Sequence, residues 1–240
     1  MWDDAASLRT LANGLLLIAL LLSLYGAAYY ALHLPLFPVR DVRVSGAIQH
    51  VTREQVQAIT QRELAGNFFT LDLARARAAF EKLPWVRQVS LRRRWPDGLD
   101  VLLEEHVALA RWGSLALVDT QGDVFIAASD AMLPMMNAPD NAAREVVSRY
   151  AAFNQALSQI GRSVAELELS PRHAWWLKLD DGLTMKLGRD DVEARVTRFS
   201  ANYARSVARL KQRPLYVDLR YANGFAARVA GLHWEGRRGI

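Results

Sequence analysis

Between Arg9 and Arg40 the chain carries no Asp, Glu, Lys or Arg. That interval, rich in Leu, Ala and Ile from Leu11 to Leu32, constrains the fold more than any other feature. As a helix rising 1.5 Å per residue it reaches about 33 Å, enough to cross the hydrocarbon core of a bilayer. A secretory signal has a shorter apolar core, about 7–15 residues, behind a positive start. Here the run is longer, and Asp3 and Asp4 stand where the positive start would be. Residues 11–33 therefore read as a retained anchor, with 1–10 as a short tail. Tyr25, Tyr29 and Tyr30 suit one membrane interface, and Pro35 and Pro38 are placed to end the helix. Charge alone leans towards a cytoplasmic bulk, because Arg9 precedes the anchor while Arg40, Arg43 and Arg53 follow it.

Beyond the anchor the periodicities change every few residues. Val39 to Ser45 alternates as a short strand that Gly46 stops. Thr52 and Gln55 form a capping box, and Val56, Ile59 and Leu64 give the following helix an apolar side, ended by Gly66 and Asn67. A second helix is expected over 71–83, closed by Pro84. Strands over 86–94 and 99–110 flank Trp95-Pro96-Asp97-Gly98, a turn that sets Arg93 opposite Asp100. The order strand, helix, helix, strand, strand is a compact module of two helices on a three-stranded sheet.

The remainder reads as a second, larger α+β unit. It holds a hairpin around Thr120-Gln121-Gly122, a linker-like crossing marked by Pro134 and Pro139, and a helix from Ala142. Strands are expected over 164–169, 174–179 and 183–187. A long helix over 191–210 follows, capped by Asp190, and closing strands over 215–221 and 225–230 join at Asn223-Gly224.

No constellation of reactive residues emerges. The absence of cysteine excludes a disulfide framework, cysteine-based zinc or iron–sulfur sites and a cysteine nucleophile. No two of His33, His50, His106, His173 and His233 have metal-ligand spacing on one element. Glu104 and Glu105 point to opposite faces of a strand. The pairs Asp180-Asp181 and Asp190-Asp191 sit at turn and cap positions, and no phosphate or dinucleotide loop is present. The expectation is a protein without enzymatic activity, cofactor or metal. The net charge of +5 is spread over a mixed surface, which gives no nucleic-acid stripe.

What does suggest function is the final strand. A last strand at a sheet edge offers unpaired N–H and C=O groups to a partner's backbone. Phe225, Ala226 and Ala227 carry no charge to block pairing, and Arg220 and Tyr221 beside them are residue types enriched at binding hot spots. The edge is open unless His233 to Ile240 covers it.

Several segments in order resemble one known family. Leu83-Pro84-Trp85-Val86-Arg87-Gln88-Val89 with Arg94-Trp95-Pro96-Asp97 resembles the POTRA module of the bacterial FtsQ/DivIB cell-division family. Ala110-Arg111-Trp112 and Val118-Asp119-Thr120-Gln121-Gly122-Asp123-Val124-Phe125 resemble the start of that family's second domain. The match continues through Leu133-Pro134-Met135 with Pro139, Leu187-Gly188-Arg189 and Tyr216-Val217-Asp218-Leu219-Arg220-Tyr221. The resemblance implies an α+β protein: a transmembrane helix, a β-α-α-β-β POTRA module over 37–111, a larger domain over 112–233 whose mostly antiparallel sheet ends in an open edge strand, and a tail over 234–240. It implies an inner-membrane protein with its N-terminus in the cytoplasm and its bulk in the periplasm, concentrated at the septum. There it would bind FtsB and FtsL by strand addition and link them to septal peptidoglycan synthesis, while the POTRA module serves recruitment. The family's partner-binding cluster maps onto Arg220, Tyr221 and Gly224, and Arg172 matches another of its basic contacts; with Asn223, Phe225, Ala226 and Ala227 of the open edge these make up the expected partner-binding residues. Ala222 replaces a usually polar residue, and the chain beyond Ala230 departs from the family. The competing readings are a POTRA-bearing export or outer-membrane assembly factor, which usually carries several modules, and a membrane-anchored periplasmic hydrolase, which needs a clustered polar pocket.

Overall fold

The computed structural model describes residues 5–34, 37–64, 67–221 and 223–229, with backbone alone for 5–7 and 140. Pro35, Gly66, Ala222 and the tail from Ala230 onward, all invoked above, lie outside the described residues. The chain divides into two compact units after His106.

The first unit opens with α1 (Ala5–His33), whose stretch Leu8–His33 is long and apolar enough to cross a membrane. Its last carbonyls are not left bare. Asn67 Nδ2 donates to the carbonyls of Leu32 and Leu34 at 2.7 and 2.6 Å, which supplies partners at a helix end that has none of its own.

β1 (Asp41–Ser45), α2 (Arg53–Glu63), α3 (Leu73–Phe80), β2 (Val86–Arg94) and β3 (Gly98–Glu105) follow in the anticipated order. The sheet runs β1-β3-β2, with β1 parallel and β2 antiparallel to β3. Val42, Val44, Val89, Leu91, Leu99, Val101 and Leu103 share one core with Phe80 and Ala76 of α3. The capping box forms, with Gln55 N donating to Thr52 Oγ1 and Thr52 N to Gln55 Oε1. Gly46 is needed because a Cβ there would lie 2.0 Å from the Leu103 carbonyl oxygen, at φ +134°.

Several expectations change. The hairpin register sets Arg92, not Arg93, opposite Asp100, and Asp100 instead pairs diagonally with Arg94. Arg93 donates to the carbonyls of Phe68, Phe69 and Leu71 and so ties the α2–α3 connection to the sheet. The expected strand over 99–110 is two strands. β3 ends at Glu105, and β4 (Ala108–Trp112) belongs to the second unit.

The second unit contains β4, β5 (Ala116–Asp119), β6 (Val124–Phe125), β7 (Met135–Asn137), α4 (Ala143–Ser158), β8 (Val164–Leu169), β9 (Trp175–Leu179), β10 (Thr184–Gly188), α5 (Val192–Asn202), β11 (Pro214–Asp218) and β12 (Ala226–Val229). They form a nine-stranded mixed sheet in the order β12-β11-β10-β9-β8-β7-β4-β5-β6. The β4–β7, β7–β8 and β10–β11 pairs are parallel and the remaining pairs antiparallel. Met136, Leu167, Leu177, Met185 and Val217 are buried in one core with Val146, Phe153, Val196 and Phe199 of α4 and α5. The supposed linker at Pro134 is β7, a strand too short to announce itself by alternation. The long second helix stops at Asn202 and continues as two 3-10 turns, Tyr203–Arg205 and Val207–Arg209. Its N-cap is Asp191, not Asp190, in the left-handed region at φ 50° and without a side-chain cap bond.

Candidate protein-binding site

β12 is the outermost strand of the nine-stranded sheet, and among the described residues its only strand neighbour is β11. Ala226, Ala227 and Arg228 are exposed and Val229 half-buried. The small residues face β11 in register: Ala227 stands opposite Val217, and Ala226 opposite Asp218. Neither extends far enough to shield the strand's outer flank. Phe225 behaves differently. Its ring packs on the core and meets Phe199 edge to face, with centroids 5.4 Å apart. It anchors the start of β12 and does not point outward with the rest of the cluster.

Register also gathers the other singled-out residues. β11 runs parallel to β10, and β9 runs antiparallel to it, with Trp175 opposite Gly188. The turn carrying Arg172, the segment Arg220–Tyr221 and the entry to β12 through Asn223 and Gly224 therefore lie at one end of the sheet. Arg172, Tyr221 and Asn223 are exposed, and Gly224 is half-buried.

Arg220 is exposed yet held. Its Nε and Nη2 donate to both carboxylate oxygens of Asp218 at 2.6–3.1 Å, and its backbone N–H donates to Asp218 Oδ1. The guanidinium holds the buried Asp218 carboxyl below the ordinary aspartate range against the opposing effect of burial, and the same pairing raises the Arg220 value. Part of the fork is thus spent internally, but about three-fifths of the side chain faces solvent. Arg198 of α5 donates to the Tyr221 carbonyl at 3.4 Å, which fastens the segment after β11 to the helix.

Sequence reasoning missed a neighbouring feature. Lys186 Nζ lies 4.6 Å from the Tyr216 ring centroid and 5.3 Å from that of Trp176. The three side chains come from adjacent strands on the solvent face, where such cation–π contacts contribute about 0.5–1 kcal/mol. The alternation of β9, β10 and β11 signals that each residue faces outward. Only strand order shows that they meet.

The arrangement has the chemistry of a protein-binding margin: backbone groups along β12, an aromatic ring and cations at one end. Among the described residues, no group of three or more His, Asp and Glu is placed to hold a metal ion.

Comparison with known proteins gives a family for each unit. Residues 37–106 match the family described as POTRA domain, FtsQ-type, and residues 110–220 match Cell division protein FtsQ/DivIB, C-terminal. The chain is 46% identical over 233 residues to the cell division protein FtsQ of Nitrosospira multiformis, covering 95% of this chain and 99% of that protein. It is 39% identical over 241 residues to FtsQ of Burkholderia pseudomallei, covering 98% and 96%. With FtsQ of Neisseria gonorrhoeae it shares 33% identity over 234 residues, covering 96% of each.

Proposed function

The chain belongs to the FtsQ/DivIB family of cell-division proteins, and from that premise we propose that it is a non-catalytic divisome scaffold that takes a strand of FtsB onto β12. Membership makes it a single-pass membrane protein of the divisome, with α1 as the membrane segment. The finer reading is that FtsB, together with FtsL, adds a strand along β12 in the periplasm. Arg220 and Tyr221 then engage the incoming chain at one end of the strand, and Arg172 supplies a further cation. The N-terminus stays in the cytoplasm and the protein concentrates at the septum. Other division proteins are met through the POTRA module and the anchor.

The observation that carries this reading is the position of β12: last in the sheet, with only β11 beside it among the described residues and small exposed side chains along it. Backbone groups at such a margin are satisfied by water or by another strand, and a partner that supplies the strand gains register as well as affinity.

The test is FtsB binding by full-length protein in lipid nanodiscs. Tyr221→Ala and Arg220→Glu each weaken FtsB by about tenfold or more, the usual scale of a hot spot. Arg220→Glu also sets a second carboxylate beside buried Asp218, so Arg220→Lys, which keeps the charge and loses the fork, accompanies it, and thermal unfolding of each variant is recorded. Wild-type affinity in both Tyr221→Ala and Arg220→Glu refutes the margin. In the parent cell, depletion gives filaments without septa, and normal septation on depletion contradicts the division role.

A further inference from the structure

The first unit has an open margin of its own. β1 is the outermost strand of its sheet and, among the described residues, pairs only with β3. Alongside it runs a cavity of about 510 Å³ lined by Val42 and Val44 of β1, Ile48 and Val51 of the following loop, and Val56 and Gln57 of α2. Beside this cavity α2 packs only in part: Val56 and Ile59 touch the core, none of its residues is fully buried, and Val42, Val44 and Val56 are left half-buried. The opposite edge strand, β2, carries Arg87, Arg92, Arg93 and Arg94 against Asp41 and Arg43 on β1, and charge along an edge strand discourages pairing.

The groove's electrostatics are one-sided. Arg53 is the only charged residue among the described lining residues, and it forms no ion pair among the described residues. Asp41, the acid on β1, is already taken up by Arg43 and Arg94. Arg53, Gln57 and Thr60 follow one another at four- and three-residue spacing, so they line one side of α2 facing the cavity.

We propose that this groove takes an extended segment of a partner protein, added as a fourth strand along β1, with apolar side chains at alternate positions entering the cavity and a carboxylate meeting Arg53. Strand addition explains why an open strand margin and a cavity with an apolar floor of Val42, Val44 and Val56 lie side by side. The guest's backbone satisfies β1, and because its side chains alternate, every second one points under α2. The site is on a different unit and sheet from β12 and does not depend on the reading given to that strand.

To test it, full-length protein in lipid nanodiscs is panned against a displayed library of random peptides. Enriched peptides are then synthesised and measured by fluorescence anisotropy and by amide exchange. Enriched sequences alternate apolar residues and carry a carboxylate, and their binding slows exchange of amides 41–45. Gln57→Trp, which plugs the groove from an exposed position, and Arg53→Glu, which suits a first helical turn, each weaken binding about tenfold or more. Tyr221→Ala leaves it unchanged, so failure here is distinguishable from failure at β12. The proposal is overturned by absence of enrichment, by affinities indifferent to Gln57→Trp, or by protection that spares 41–45. Self-association abolished by Gln57→Trp also overturns it, because the occupant is then a second copy.

Discussion

β1 and β12 are both outermost strands, yet their undersides differ. At the entry to β12, Phe225 meets Phe199, which in turn meets Tyr203 with centroids 5.6 Å apart, and α5 buries Val192, Val196, Phe199 and Ser200. At β1 the neighbouring helix buries nothing completely, and a cavity remains. A filled underside leaves a guest strand only backbone and flanking side chains to contact. An unfilled one also admits its side chains. On the proposed readings, a guest strand at the second margin meets Arg220 and Tyr221 at its end, whereas a guest at the first is read along its length by shape.

The most severe way to break this contrast is to empty the filled side. Phe199 is fully buried, and Phe199→Ala removes the ring that supports both Phe225 and Tyr203. The expected cost is about 3–5 kcal/mol, read as lowered protection of second-unit amides in hydrogen exchange. Val56→Ala on α2 costs about 1 kcal/mol in the first unit, since Val56 is only partly buried and already borders a cavity. Equal costs at the two positions would erase the distinction.

Next in size is the carboxylate that shapes the groove. Glu105, at the end of β3, accepts hydrogen bonds from the backbone N–H groups of Gln49, His50 and Val51 at 2.8–3.1 Å and meets His50 Nδ1 at 3.0 Å. The His50 ring stacks on Trp85 with centroids 3.6 Å apart. Burial pushes the Glu105 carboxyl up, but these hydrogen bonds together hold it below its ordinary value. Because the folded value is depressed, the stabilisation is present above the unfolded glutamate value of about 4.3 and is lost as pH falls through the folded value. Glu105→Gln costs the first unit about 1–3 kcal/mol near neutral pH and progressively less in acid. A variant whose unfolding keeps the wild-type pH dependence below pH about 5 contradicts this role.

How far these margins were legible in the sequence follows from which interactions are local. The capping box, the anchor and the valines of β1 declare themselves by spacing within a few residues, and the structure places them accordingly. The final strands were legible too, although β11 stops at Asp218 and β12 starts at Ala226, because the segment between them, around Arg220 and Tyr221, is shaped by Asp218. What escaped is non-local. Asn67 closing α1 acts across 33–35 positions of sequence, Glu105 holding the loop at 49–51 across 54–56, and Lys186 between Trp176 and Tyr216 through strand order. The β1 groove escaped for a related reason: α2's spacing shows an apolar side but not that this side is only partly buried and leaves a cavity beside it.

The smallest expected effect concerns how each margin's helix is begun, and it sharpens the contrast. α2 is started by a reciprocal capping box but buries no residue completely, whereas α5 starts at Asp191 with no side-chain cap bond and buries four. A helix whose core face, Val56 and Ile59, is only partly buried leans more on its cap, and Thr52→Ala removes the acceptor for Gln55 N at a cost of about 1 kcal/mol. Asp191→Gly acts on two opposed terms. It relieves a non-glycine residue at φ 50° and gives the unfolded chain more freedom, so unfolding shifts by less than about 0.5 kcal/mol. The ratio of the two costs, measured by amide exchange within α2 and α5, is the informative quantity. A value well above one places the start of α2 in its cap and that of α5 in its core, while a value below one means that α2 is held by packing the cavity does not reveal.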